Sequence, residues 1–187
     1  MFSVLIPNHL ENNIEEFVKE IEKAFPCEQI IIATDRYGKG KGWALREALK
    51  EAKGDIIIFL DADGDISPKM IKRFLPFLED CDAVIGSKTV VNSPLHRKII
   101  TYLSRVYIRL MFALPFDTQT GLKMFRRNIL PSWKTDGYAF DIEILNKLKK
   151  NKARIIEIPI EASIKGKVSL KMLWRIFLET LKIRIFQ

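Results

Sequence analysis

The chain has 187 residues, 48% hydrophobic and 29% charged, proportions that fit one folded domain and exclude a disordered tail or a membrane bundle. Its net charge of +8 conceals a split, with residues 1–87 summing to −5 and residues 88–187 to +13. Such a split predicts that one half holds cations while the other meets phosphate or an anionic surface.

Val4-Leu5-Ile6 reads as a short strand ended by Pro7. Residues 12–25 follow at helical spacing, with Ile14, Phe17, Val18, Ile21 and Phe25 on one face. Gln29 to Thr34 is a second strand. The glycine loop Gly38-Lys39-Gly40-Lys41-Gly42 leads into a helix from about Trp43 to Ala52. Ile56 to Leu60 is an all-apolar run suited to the middle of a covered sheet. A helix from Pro68 to Leu78 and a strand at Ala83-Val84-Ile85 come next. This alternation predicts an α/β domain, residues 1–187, with a mostly parallel sheet flanked by helices. No segment is long and apolar enough to span a bilayer, and Phe2 to Pro7 lacks the basic region of a signal peptide. Cys27 and Cys81 read as reduced thiols of a cytosolic protein, and His9 and His96 are too few for a zinc site.

Ligands of such sheets bind beyond the carboxyl ends of the strands, which draws attention to Asp61-Ala62-Asp63-Gly64-Asp65. Three carboxylates at alternate positions repel one another unless a cation compensates them. Hard Mg²⁺ or Mn²⁺ ions suit this oxygen-rich set and commonly bridge carboxylates to substrate phosphates. An EF-hand is excluded, because Ile66 stands where it needs glycine and Lys72 where it needs glutamate. The competing reading is a capping turn for the following helix, and both can hold together. The glycine loop has no P-loop pattern; it reads either as an anion-binding helix start or as a plain basic turn.

Two basic amphipathic helices are expected, near 95–113 and 168–186. The first carries a polar stripe of Arg97, Thr101, Arg105 and Arg109; the second carries Lys171, Arg175, Glu179 and Lys182. Their polar faces are narrow, so they either pack heavily in the core or lie in a membrane interface beside anionic headgroups. Nucleic acid is disfavoured as a partner, because no Cys/His finger or RNA-binding aromatic motif is present.

Several segments in order resemble family 2 glycosyltransferases of the GT-A fold, specifically the dolichyl/polyprenyl-phosphate mannose synthase branch. They are Val4-Leu5-Ile6-Pro7 with Glu11, Gly40-Lys41-Gly42-Trp43-Ala44-Leu45-Arg46, Gly54-Asp55 through Asp61-Ala62-Asp63, and Gly86-Ser87-Lys88. Asp117-Thr118-Gln119-Thr120-Gly121-Leu122-Lys123, Phe140-Asp141-Ile142-Glu143 and Glu157-Ile158-Pro159 complete the series. The resemblance implies a Rossmann-like GT-A fold with an amphipathic C-terminal helix. It further implies an inverting, metal-dependent hexosyltransferase moving mannose, or next glucose, from GDP-mannose or UDP-glucose to a polyprenyl phosphate. The implied donor-binding residues are Pro7, Glu11, Asp35, Lys41 and Asp61, and the metal ligands of Mg²⁺ or Mn²⁺ are Asp61, Asp63 and Asp65. Lys88, Arg97 and Thr101 would grip the acceptor phosphate, with Asp63 and Asp117 at the reaction centre. The enzyme would sit peripherally on the cytoplasmic face of the membrane. Alternatives are a family 2 transferase with another acceptor and a non-catalytic nucleotide- or membrane-binding relative. Three departures from the family pattern are visible. His9 and Leu10 stand before Glu11 in place of tyrosine and asparagine, Lys88 replaces an arginine, and a helix–strand unit after Asp35 is absent.

Overall fold

The computed structural model describes residues 1–8, 13–90, 95–162 and 169–186, with backbone alone at 89, 90, 96, 97, 161, 162 and 170. Its centre is a six-stranded sheet built from β1 (Phe2–Asn8), β2 (Gln29–Thr34), β3 (Ile56–Leu60), β4 (Ala83–Val90), β5 (Leu122–Arg126) and β6 (Ile155–Ala162). The strand order is β2-β1-β3-β5-β4-β6. β5 runs antiparallel to both of its neighbours, and every other pairing is parallel.

Alternation along the strands divides the core between the two faces. Val4, Ile6, Ile58, Leu60, Val84 and Met124 point to one side, where they bury Phe17 and Ile21 of α1 (Ile14–Ala24) and Ile71 and Phe74 of α3 (Met70–Phe74). Leu5, Ile57, Phe59, Ile85 and Phe125 point to the other. There they meet Leu45 and Ala48 of α2 (Lys41–Glu51), Ile142 and Leu145 of α5 (Phe140–Lys150), and the inner residues of α4 (Leu95–Phe112) and α6 (Leu170–Phe186). Tyr107 of α4 meets α6 twice, through a 2.8 Å hydrogen bond with Thr180 and a ring contact with Phe177.

Several elements differ from the sequence expectation. β1 continues through Pro7 to Asn8, because beyond Leu5 it keeps only β2 as a neighbour, and a residue without an N–H is tolerated there. The helix expected over 68–78 is α-helical only for Met70–Phe74 and tightens into a 3₁₀ turn, Leu75–Glu79, around Pro76. β4 is longer than expected and carries Gly86, Ser87 and Lys88 within it. β5, α5 and β6 had no periodicity that announced them. β5 holds a buried lysine, Lys123, at its second position, and α5 turns Asp141, Glu143 and Asn146 inward. β6 contains Pro159, which its position at the sheet edge accommodates.

Candidate active site

The carboxyl ends of β1, β2 and β3 open into a cleft of about 370 Å³. Pro7, Asp35, Lys41 and Asp61, expected at a donor site, line it together with Asp63, expected as a metal ligand at the reaction centre. Tyr138 and Arg175 complete its rim, and neither had been singled out as a site residue. Glu11 lies outside the described residues, as does the side chain of Arg97.

Asp61 follows β3 directly. Its N–H donates to the Gly121 carbonyl at 2.9 Å, and its carboxylate accepts the Lys41 ammonium at 2.6 Å. A Cβ on Gly121 would stand 2.8 Å from the Asp61 carboxylate, so the missing side chain leaves room for this acid. Asp63 lies at the mouth. Burial raises its pKa, the Asp65 N–H on Oδ1 (3.0 Å) pulls it back, and the Asp61 and Asp65 carboxylates raise it further. The Lys88 ammonium is near enough to Asp63 to favour its charged form.

Behind the cleft, charges alternate into the core. Burial disfavours the Lys41 ammonium, yet Asp61, Asp141 and Asp63 outweigh it and hold its pKa above the usual lysine range. Asp141 pairs with Lys123 at 3.1 Å, and burial moves both toward neutrality, the acid upward and the lysine downward. Asp141 Oδ1 and Thr120 Oγ1 are buried without a hydrogen-bond partner among the described residues.

The glycine loop departs from an anion cradle. Asp35 organises it by accepting the N–H groups of Tyr37, Lys39 and Gly40 at 3.3, 3.0 and 2.7 Å. Gly38 and Gly40 take positive φ values of 64° and 129°, which side chains rarely adopt. At the start of α2, the N–H groups of Gly42 and Trp43 donate to the carbonyls of Gly137 and Asp136. Five of the amides that could bind an anion, those of Tyr37, Lys39, Gly40, Gly42 and Trp43, are thus engaged by the protein itself.

Two expected groupings are not assembled. Among the described residues no three acidic, histidine or cysteine side chains converge as a metal site, and Asp65 does not line the cleft with Asp61 and Asp63. Asp117 lies instead beside a second pocket of about 240 Å³ with Tyr102, Arg105, Arg109 and Glu157. Its buried carboxylate accepts the Lys88 N–H at 3.0 Å, Arg105 at 2.7 Å and the Gln119 N–H at 3.2 Å, while its own N–H donates to Glu157. Asp117 therefore clamps β4, α4 and the approach to β5. Thr101 lies on α4, half-buried.

The two basic helices divide their apolar surface. Ile108 and Phe112 of α4, with Ile176 and Ile183 of α6, are buried. Tyr102, Leu103 and Leu110, together with Trp174, Leu178 and Phe186, are exposed. The core-packing expectation holds for one face of each helix, and the other face is left uncovered. No helix among the described residues is long and apolar enough to cross a membrane.

Residues 4–139 match glycosyl transferase family 2, and the chain belongs to that family. An undecaprenyl-phosphate mannosyltransferase of Micrococcus luteus is 30% identical over 135 residues, covering 66% of this chain and 54% of that protein. A dolichyl-phosphate beta-glucosyltransferase of Dictyostelium discoideum is 25% identical, covering 84% of this chain and 53% of that protein. A dolichol-phosphate mannosyltransferase of Pyrococcus furiosus is 24% identical, covering 96% and 53%. The chain thus spans about half the length of these curated relatives. Among solved structures, glucosyl-3-phosphoglycerate synthase from Mycobacterium tuberculosis in complex with Mn²⁺, UDP-glucose and phosphoglyceric acid superposes with a TM-score of 0.76. It is 17% identical, with 98% of this chain and 79% of that one covered. This likeness establishes the GT-A fold.

Proposed function

We propose that this family 2 domain, residues 1–187, transfers a hexose from a nucleotide-sugar donor to the phosphate of a polyprenyl lipid at a membrane surface. The observation that carries the reading is the convergence of Asp61 and Asp63 in one cleft beyond the carboxyl ends of the strands, with Lys88 close enough to favour the charged form of Asp63. The activities named for the curated relatives support a polyprenyl-phosphate acceptor and a donor sugar of mannose or, next, glucose.

The site fits a divalent cation at two positions. Asp61 and Asp63 supply hard oxygen donors, and the mutual repulsion that raises the Asp63 pKa is what a cation would relieve. Mn²⁺ or Mg²⁺ accompanies UDP in the fold relatives, and here either ion would be held by these two acids and the donor phosphates. When bound, it supplies positive charge against the departing diphosphate. Pro7, Asp35 and Lys41 form the donor wall, and Asp65 acts on Asp63 through its N–H.

A lipid monophosphate has a second pKa near 6, so at neutral pH its oxygen is already an anionic nucleophile and asks for little general-base help. Attack forms a bond from that oxygen to the anomeric carbon as the bond to the nucleoside diphosphate breaks, inverting the configuration. Lys88 and Arg97 would neutralise the incoming phosphate, and Thr101 of α4 would grip it through its hydroxyl. Asp117 contributes by fixing the backbone at Lys88 rather than by touching the reacting atoms. The uncovered apolar residues of α4 and α6, within the +13 half of the chain, form the surface that would rest on anionic lipid.

The test is transfer of labelled sugar from GDP-mannose and UDP-glucose to a short polyprenyl phosphate with Mn²⁺ or Mg²⁺, scored in the organic phase. Label that disappears with chelator and in Asp63→Asn is the expected result. Transfer undiminished in excess chelator would remove the cation, and donor hydrolysis without lipid product would overturn the acceptor.

A further inference from the structure

We infer that Arg175, delivered by α6, binds the diphosphate of the nucleotide-sugar donor, with Glu179 as its positioning residue. The inference rests on the transferase reading above. Its starting point is that most anion-binding groups on the cleft wall that faces the acids are already engaged. The amides of Tyr37, Lys39 and Gly40 are spent on Asp35, and those of Gly42 and Trp43 on the carbonyls of Gly137 and Asp136. Lys39 turns its ammonium over the Trp43 and Tyr37 rings, 5.0 and 5.7 Å from their centroids. Lys41 is bonded to Asp61. Among the described cleft-lining residues, Arg175 is the remaining cation.

Its placement is built. Nη2 donates to the Lys39 carbonyl at 3.1 Å and Nε to Glu179 Oε1 at 3.0 Å, which employs two of the five N–H groups a guanidinium carries. An i,i+4 Arg–Glu pair on an exposed helix is ordinary. Here, however, Glu179 Oε2 also accepts the Ala139 N–H at 3.0 Å, and a Cβ on Gly137 would overlap its carboxylate. One turn further along the chain from Ile176, buried Thr180 bonds Tyr107 and fixes the register of the helix. Arg175 is therefore held against the glycine loop at the cleft rim, with its side chain half open to the cleft.

The chemistry calls for such a group. Breaking the anomeric bond leaves an additional negative charge on the departing diphosphate. A planar guanidinium can pair two phosphate oxygens at once, where an ammonium acts as a point charge.

The test measures binding of nucleoside diphosphates and monophosphates (GDP, GMP, UDP and UMP) to the full chain with Mn²⁺ by calorimetry, for wild type, Arg175→Gln and Arg175→Lys. The preference for diphosphate over monophosphate should shrink about tenfold in Arg175→Gln and less in Arg175→Lys, as expected when a charge-assisted hydrogen bond is removed or weakened. Melting temperatures are followed in parallel, and if Arg175→Gln does not fold the lysine variant decides. An unchanged preference, or equal weakening of both nucleotides, would assign Arg175 to helix docking alone and overturn the inference while leaving the transferase reading intact. A wild-type chain that binds neither diphosphate would instead sink that reading, and this inference with it.

Discussion

Asp61 shows how a single acid is held at the edge of the cleft. Its N–H, its carboxylate and its free space depend on three separate neighbours, namely the Gly121 carbonyl, the Lys41 ammonium and the absent side chain of Gly121. Gly121→Ala should therefore displace the Asp61 carboxylate, since the new methyl would stand 2.8 Å from it. Because small misplacements of positioning groups cost on the order of a hundredfold in rate, transfer should fall roughly ten- to a hundredfold. Nucleotide-dependent Mn²⁺ binding should weaken with it. Normal Mn²⁺ affinity and normal turnover in Gly121→Ala would show that Asp61 does not need this space. The sequence shows Gly121 only as part of a family-like motif and not as a neighbour of Asp61, which lies 60 positions away.

At the scale of elements, α5 is tied to the segment before it by one buried acid. Glu143 accepts the N–H groups of Lys134 and Thr135, the Thr135 hydroxyl and the Lys147 ammonium. Burial alone would raise its pKa, but Lys147, Thr135 and the two backbone donors prevail and hold it below the ordinary glutamate value of 4.5. A pKa lowered by folding contributes stability that is complete above the unfolded value and disappears as pH falls through the folded one. Glu143→Gln should thus cost about 1–3 kcal/mol at pH 7, the range for losing hydrogen bonds to a buried charge. The variant should also lose less stability than wild type between pH 5 and a pH below the ordinary glutamate range. Parallel urea-denaturation curves for the two proteins over that range would remove Glu143 from the acid response. The segment held this way, 134–137, supplies the carbonyls that cap α2, so an element with no clear periodicity in the sequence governs the glycine loop.

Across the whole molecule, the acidic half supplies most of the cleft lining, with Tyr138 and Arg175 added by the basic half, which also carries α4 and α6 with their uncovered apolar residues. Leu103 and Leu110 of α4 are 58% and 82% exposed, beside a protein half with a net charge of +13. Binding to vesicles of mixed neutral and anionic lipid should weaken as salt rises, since exposed charges are screened over about 8 Å at physiological ionic strength. Leu103→Gln with Leu110→Gln should weaken it by a further tenfold or more, because fully burying one leucine side chain is worth about 1.5–3 kcal/mol. Sedimentation with vesicles checks both effects. Salt-independent binding that tolerates the double substitution would assign these residues to contact with another protein segment.

Local signals were enough for much of this protein. Apolar runs announce β1 to β4, helical spacing announces α1 and α2, the carboxylates of Asp61 and Asp63 follow a buried strand, and the charge split is a matter of counting. Ordered motifs were sufficient to indicate the family to which the chain belongs. Tertiary structure alone decided the remainder. β5 enters between β3 and β4 with a buried Lys123, tolerable only because Asp141 of a later helix meets it. Asp117 becomes a clamp because Lys88, Arg105 and Glu157 converge on it from three elements. The loop amides are occupied by residues up to 95 positions away, and Arg175 reaches Lys39 across 136. Periodicity reports which face of an element is buried, but which distant polar group will satisfy a buried charge or an open amide is settled only when the chain has closed on itself.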